Sequence, residues 1–252
     1  MTKIIISKEM KRKREIMAKE TEIKSLIQEL SLLTKIINND NNIDNSNTSS
    51  VDLAAVSEQQ QQRHVISYIP TSSFLSLCTL IVQVLDKIGP TMVVLKQDIS
   101  KNIQRLEMLC DSDPATYSNL MEILNKEAVE LNAKKSNSCS KALLWLTRSL
   151  DFMGALLRHI AIEPMENMEQ IVGNSYEMTL KPWHGWISAT TYKVALKLLP
   201  DTNTFISLLM AKGENFDTLR DEIQALVSLL VPLLQQLHFT LDLYGLDRLK
   251  ST

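Results

Sequence analysis

Ile16, Ile23, Leu26, Ile27, Leu30, Leu33 and Ile37 recur at three- and four-residue steps, the spacing of one helix face, and predict a helix over residues 8 to 37. Fewer than four heptads are present, so the same stripe also suits a weak coiled-coil seam. The following tract is polar: Asn38, Asn39, Asn41, Asn42, Asn45, Asn47, Ser49, Ser50 and the run Gln59 to Gln62 lack the apolar density needed for a core. A disordered linker over 38–69 is therefore expected, separating an amphipathic helical segment, 1–37, from a domain over 70–252.

Beyond residue 70 apolar positions return at helical period, with long intervals free of Gly and Pro. Helices are expected over Thr71 to Ile88, Pro90 to Cys110, Tyr117 to Leu131, Ser140 to His159, Met165 to Trp183, Trp186 to Leu199, Thr202 to Met210 and Asp217 to Tyr244. Asp113 before Pro114, Pro164 after Glu163, and Asp201 after Pro200 are helix-start signals. Pro182 and Pro232 fall inside apolar-periodic segments, where the missing N–H and the ring clash should kink a helix. The fold class is all-α.

The chain has 252 residues, 44% of them hydrophobic and 22% charged, with a formal net charge of -2. One domain plus an extension fits that length, and nucleic acid is not an expected partner, because phosphate neutralisation needs a surplus of Lys and Arg. The six glycines are too dispersed for a Rossmann turn, a P-loop or a nucleophile elbow. Cys78, Cys110 and Cys139 are widely spaced and odd in number, which offers neither a CxxC metal site nor a disulfide framework and fits a reducing compartment. No metal or cofactor is expected. The N-terminus lacks the hydrophobic run of a secretory signal, and the longest apolar stretches, Phe74 to Val84 and Ala225 to Leu234, are roughly 10 residues, half of what a spanning helix needs. A cytoplasmic protein touching membranes only at their surface is the expectation. The basic run Lys11 to Arg14 is compatible with a solvated face, with anionic lipid or with a localisation signal.

Three groups of residues carry candidate chemistry. Asp98, Asn102 and Arg105 stand at i, i+4 and i+7 and share one helix face; a solvated face with internal pairing has the same spacing. Trp145, in Leu143-Leu144-Trp145-Leu146-Thr147-Arg148, sets a rigid indole beside a cation in an apolar helix, and a packed core Trp gives the same pattern. Lys181-Pro182-Trp183-His184-Gly185-Trp186 concentrates aromatics around a histidine in a chain only 5% aromatic. Indoles favour membrane interfaces, and a neutral His can donate one hydrogen bond, although either residue can simply be packed.

These blocks, with Lys96 to Leu106, Ser175 to Trp186 and Ala195 to Asp201, together resemble the glycolipid transfer protein family. The resemblance covers about 70–252 and is closest to short plant-type members; the Asn/Gln-rich extension departs from them. It implies a two-layer helical sandwich that holds one sphingolipid, with the head group on a surface patch and the chains between the layers. It assigns Asp98 and Asn102 to the sugar and ceramide amide, Arg105 to a position often held by Lys, Trp145 to the platform under the first sugar and His184 to the ceramide carbonyl. Trp186 is similar to the family's membrane-contacting aromatic. Phe74, Leu77, Val84, Phe152, Leu156, Leu196 and Phe205 are candidates to line the hydrocarbon chains, or only to pack against one another.

Elementary energetics makes such a carrier sensible. Exposing a ceramide's thirty or so methylenes to water at ~0.8 kcal/mol each would cost on the order of 25 kcal/mol, so unassisted transfer is slow. The expected function is a non-enzymatic, monomeric carrier or sensor of a simple glycosylceramide, in transient contact with membranes. A phosphoceramide carrier is the alternative within the family, but that pattern has a cation where Asn102 stands and Arg where Trp145 stands. A lipid hydrolase using Asp98 and His184 lacks an accompanying nucleophile motif or second carboxylate. A helical scaffold without lipid cargo is the remaining alternative.

Overall fold

The computed structural model describes residues 21–45, 68–184, 196 and 199–250. The chain is all-α, and the described residues contain no strand. Nine helices are described: α1 (Glu22–Asn45), α2 (Thr71–Ile88), α3 (Val93–Ser112), α4 (Pro114–Tyr117), α5 (Leu120–Val129), α6 (Cys139–Ile162), α7 (Met168–Thr179), α8 (Thr202–Leu209) and α9 (Phe216–Leu243). A 3-10 turn, Pro90–Met92, leads into α3.

The five long helices close on one another: α1 packs on α2, α2 on α3, α3 on α6, α6 on α9, and α9 back on α1. This closure makes two layers around one apolar core. α5 and α7 pack on α6, and α8 on α2. α2 and α9 are apolar and long enough to cross a membrane by length and composition alone, but residues of both belong to the shared core.

The first helix corrects the expected division of the chain. Ile23, Leu26, Leu30, Leu33 and Ile37 are buried in the same core as the later helices, so 22–37 is not a separate segment. α1 also runs through Asn38 and Asn39 to Asn45, taking in the start of the expected linker. Packing of the apolar face stabilises the first turns, and extending a formed helix fixes one residue per added hydrogen bond, so weak Asn propensity is overridden. Lys24 Nζ meets Glu214 Oε1 at 2.9 Å and Glu222 Oε1 at 3.0 Å, and Lys87 Nζ meets Glu22 Oε2 at 2.7 Å; both tie α1 to later parts of the chain. The expected helical residues 8–20 and the linker residues 46–67 lie outside the described residues, as do most of the helix expected over Trp186 to Leu199 and the membrane-contact candidate Trp186.

Other differences have local causes. The helix expected over Tyr117 to Leu131 is two pieces, because Asp113 and Asn119 each cap a new start, accepting from Thr116 N at 3.3 Å and Met121 N at 3.1 Å. Asn119 Oδ1 also accepts from Ile69 N at 3.0 Å, pinning the start of α2 to this corner. Pro164 does not begin a helix: α6 extends to Ile162, and α7 starts after Asn167, whose side chain accepts from Gln170 N at 2.8 Å. Asp201 caps α8 as expected, accepting from Thr204 N at 2.9 Å. α9 continues through Pro232, which sits on the exposed face where water can satisfy the carbonyl left without a donor. The helix expected to reach Trp183 ends at Thr179, ahead of Pro182.

Candidate functional site

α3 buries Ile99, Ile103 and Leu106 and turns Asp98, Asn102 and Arg105 away from the core, with Asp98 exposed and the other two half-buried. Arg105 Nη1 donates to Ser138 O at 3.4 Å, and Cys139 Sγ lies 3.7 Å from Arg105 O. This contact fixes register. Arg105 meets the very start of α6, so the two helices can pack along their lengths only if they run antiparallel. Asp98, seven residues before Arg105, and Trp145, seven after Ser138, then stand at the same level, each about 10 Å from the contact.

The orientation of α6 is set at its N-terminus. Glu127 Oε1 and Oε2 accept from Cys139 N at 2.8 Å and Ser140 N at 2.7 Å, and Ser138 Oγ accepts from Lys141 N at 3.0 Å. A carboxylate satisfying the first amides also complements the helix dipole. Two turns further on stands Trp145, half-buried, followed by Arg148, only 1% exposed.

The turn after α7 brings His184 to the same place. Leu180 O accepts from Trp183 N at 3.0 Å and His184 N at 3.1 Å, a tight turn built around Pro182, which cannot continue the helix. The His184 ring lies 5.5 Å from that of Trp145, tilted 33°, and 5.6 Å from that of Tyr176, tilted 48°. The Arg148 guanidinium lies between two indoles, its carbon 4.2 Å from the Trp183 ring centre and 4.9 Å from that of Trp145. At such distances cation–π attraction adds to packing.

The donors of Arg148 are committed within the protein. Nη1 donates to Leu249 O at 2.7 Å and Nη2 to Asp247 O at 2.6 Å, while Nε is buried with no hydrogen-bond partner among the described residues. Burial lowers the guanidinium to about 10 against the attraction of Asp247 and Asp151, so it stays charged at neutral pH. Burial, and then the Arg148 charge, lower the His184 imidazole from its ordinary value. The ring is therefore neutral at pH 7. Its Nδ1 is buried without a hydrogen-bond partner among the described residues, a costly state that a bound acceptor or donor would relieve. The Asp98 carboxyl is raised by the protein packed beside it, with Lys101 pulling the other way.

The chain-lining candidates lie in the core. Phe74, Leu77 and Val84 of α2, Phe152 and Leu156 of α6, and Phe205 of α8 are all buried in one cluster, and Leu196 packs against it half-buried. Four partners of the site were not legible beforehand. For Trp183 and Tyr176 the signal in the sequence is two aromatics near a His on a Pro-broken helix. Asp247 and Leu249 engage Arg148 through backbone carbonyls, which no sequence pattern announces.

Fold and site define an all-α protein in which a polar stripe on α3 stands level with an aromatic cluster on α6, both over a single apolar core. The family model described as glycolipid transfer protein (GLTP) matches residues 69–211. The chain is 49% identical over 233 residues to glycolipid transfer protein 3 of Arabidopsis thaliana, covering 92% of this chain and 93% of that protein. It is 45% identical over 244 residues to glycolipid transfer protein 2 of the same plant, covering 96% and 100%. The chain belongs to the glycolipid transfer protein family. Among solved structures it is similar to the GLTP fold of FAPP2, described as selecting simple glycosphingolipids, with TM-score 0.68 and 26% identity over 79% of this chain and 93% of that one. Arabidopsis ACD11 in complex with a ceramide-1-phosphate superposes with TM-score 0.71 at 17% identity, over 90% and 98% of the two chains, a likeness of fold alone.

Proposed function

We propose that this protein carries a simple glycosylceramide between membranes, or senses it, without breaking a bond. The observation that supports this reading most directly is the half-buried Trp145 ring beside a neutral His184 whose Nδ1 lacks a partner among the described residues. A sugar offers C–H faces to an indole and hydroxyls to a polar stripe, and a ceramide offers an amide to a neutral imidazole and a carboxylate. In this reading Trp145 carries the first sugar, Asn102 and Arg105 bind its hydroxyls, Asp98 accepts from the ceramide N–H and a hydroxyl, and His184 donates to the ceramide carbonyl. The hydrocarbon chains enter among Phe74, Leu77, Val84, Phe152, Leu156, Leu196 and Phe205.

Head-group choice follows from where the cations are spent. A phosphate needs clustered, available donors. Arg148, the cation nearest Trp145 in sequence, gives its terminal nitrogens to Asp247 and Leu249 carbonyls, and Asp98 repels an anion on the adjoining face. The relatives named glycolipid transfer proteins, and the FAPP2 fold described as selecting simple glycosphingolipids, agree with a sugar lipid. The protein works as a monomer in the cytoplasm and meets bilayers transiently through Trp186.

Mass spectrometry of lipid retained by the purified chain, followed by vesicle transfer, tests the reading. A glycosylceramide bound and moved intact is expected. Ceramide and free sugar would indicate a hydrolase, and a lipid-free, inert protein a scaffold.

A further inference from the structure

The segment after α9 is built into the site. α9 ends in a Schellman turn: Gly245, in the left-handed region at φ 63°, donates to Asp242 O at 2.9 Å, and Leu246 donates to Leu241 O at 2.9 Å. Leu241 and Leu246, the pair that such a turn brings together, are both fully buried. The chain is thereby turned back so that the Asp247 and Leu249 carbonyls reach the Arg148 guanidinium.

A side-chain bridge fastens the same segment. His238 of α9 places Nδ1 2.6 Å from Asp247 Oδ1 and Nε2 2.7 Å from Asp151 Oδ2. Asp151 lies on α6, one turn beyond Arg148. A closed circuit results, running from Arg148 to the Asp247 carbonyl, from the Asp247 carboxylate to His238, and from His238 to Asp151 and back along α6. Because a carboxylate faces each ring nitrogen, both nitrogens must donate, which requires the imidazolium. Burial opposes that charge, but the two carboxylates outweigh it and raise the ring to about 9.

We propose that His238 is a positioning residue for head-group selection: by tying Asp247 to Asp151 it holds the segment after α9 whose carbonyls occupy Arg148, keeping that guanidinium between the Trp145 and Trp183 rings with its donors withheld from the lipid. The inference rests on the glycolipid-carrier reading. Removing the bridge has two consequences at once. The indoles lose a fixed backing, which weakens sugar binding, and Arg148 gains donors free to meet a phosphate. A role in stability alone would lower transfer of every lipid together.

The test compares the full chain with His238→Ala and with Asp247→Asn, which preserves side-chain volume should the first variant fold poorly. Transfer of fluorescent galactosylceramide and of phosphoceramide is measured between phosphatidylcholine vesicles, together with the rate of tryptic cleavage after Arg248 and tryptophan emission of the lipid-free protein. Expected are a severalfold loss of galactosylceramide transfer, a severalfold shift of the ratio toward phosphoceramide, faster cleavage and altered emission. An unchanged lipid ratio in both variants would overturn the selection role even if rates fall. Unchanged cleavage and emission would overturn the latch itself. Absence of galactosylceramide transfer by the unaltered chain would instead refute the carrier reading, leaving the two lipid-free measurements to decide whether His238 holds the segment.

Discussion

Trp145 and His184 meet with ring centroids 5.5 Å apart, joining the second turn of α6 to a turn that exists because Pro182 cannot continue the preceding helix. His184 is kept neutral there by burial and by the Arg148 charge, and its Nδ1 is left without a protein partner among the described residues. Such an atom costs stability in the free protein and returns it on binding. His184→Leu should therefore leave the melting temperature unchanged or slightly higher. Glycosylceramide transfer at limiting lipid should fall roughly fivefold, the worth of a neutral hydrogen bond. Calorimetry and vesicle transfer on the same preparation check both halves.

Asp98 supplies a second separation of function from folding. Its carboxyl is raised by the protein beside it, so the ionised form is slightly disfavoured in the folded state and folding gains nothing from the charge at neutral pH. Asp98→Val is expected to keep the helical circular dichroism and melting temperature while reducing transfer roughly ten- to a hundredfold, the cost of losing a charged hydrogen-bond acceptor. Wild-type transfer would remove Asp98 from the head-group site.

Most of the fold was legible because its signals are local. Periodicity placed α2, α3, α6 and α9 to within a few residues, and Asp201 announced the start of α8. The packing of α1 is not legible in the sequence for a physical reason: the Asn-rich tract marks a change in composition but says nothing about where the preceding apolar stripe packs, which depends on partners in α2 and α9. The stripe Asp98, Asn102, Arg105 and the indole Trp145 could be named from spacing and resemblance. The commitment of Arg148 to Asp247 and Leu249 could not, since the acceptors are backbone carbonyls about a hundred positions away, brought close by a turn at Gly245.

The packing of α1 carries its own prediction. Leu30 is fully buried between helices, so Leu30→Ala should cost about 2–5 kcal/mol, read as a shift in the urea midpoint at constant slope. Deleting residues 1 to 45 removes the five buried apolar side chains Ile23, Leu26, Leu30, Leu33 and Ile37 and should abolish cooperative unfolding along with transfer. A truncated protein that melts cooperatively would show that α1 is dispensable to the core.

The His238 bridge makes stability depend on alkaline pH. The ring is raised to about 9 from 6.5, so its contribution is complete below pH 6.5 and is lost as pH rises through about 9. Allowing for partial exposure, the loss is on the order of 2 kcal/mol. Urea midpoints of the wild type and His238→Gln should differ most at pH 6 to 7 and converge toward pH 10; a gap independent of pH would mean that His238 is not charged in the folded protein.

The chemistry of the surface cluster favours a neutral sugar over a phosphate. Competition between fluorescent glucosylceramide and phosphoceramide, at equal mole fraction in donor vesicles with unlabelled acceptors, tests it most directly. Preferential movement of glucosylceramide is expected, with Asn102→Lys combined with Trp145→Arg shifting the preference toward phosphoceramide. Preferential transfer of phosphoceramide by the unaltered protein would contradict it.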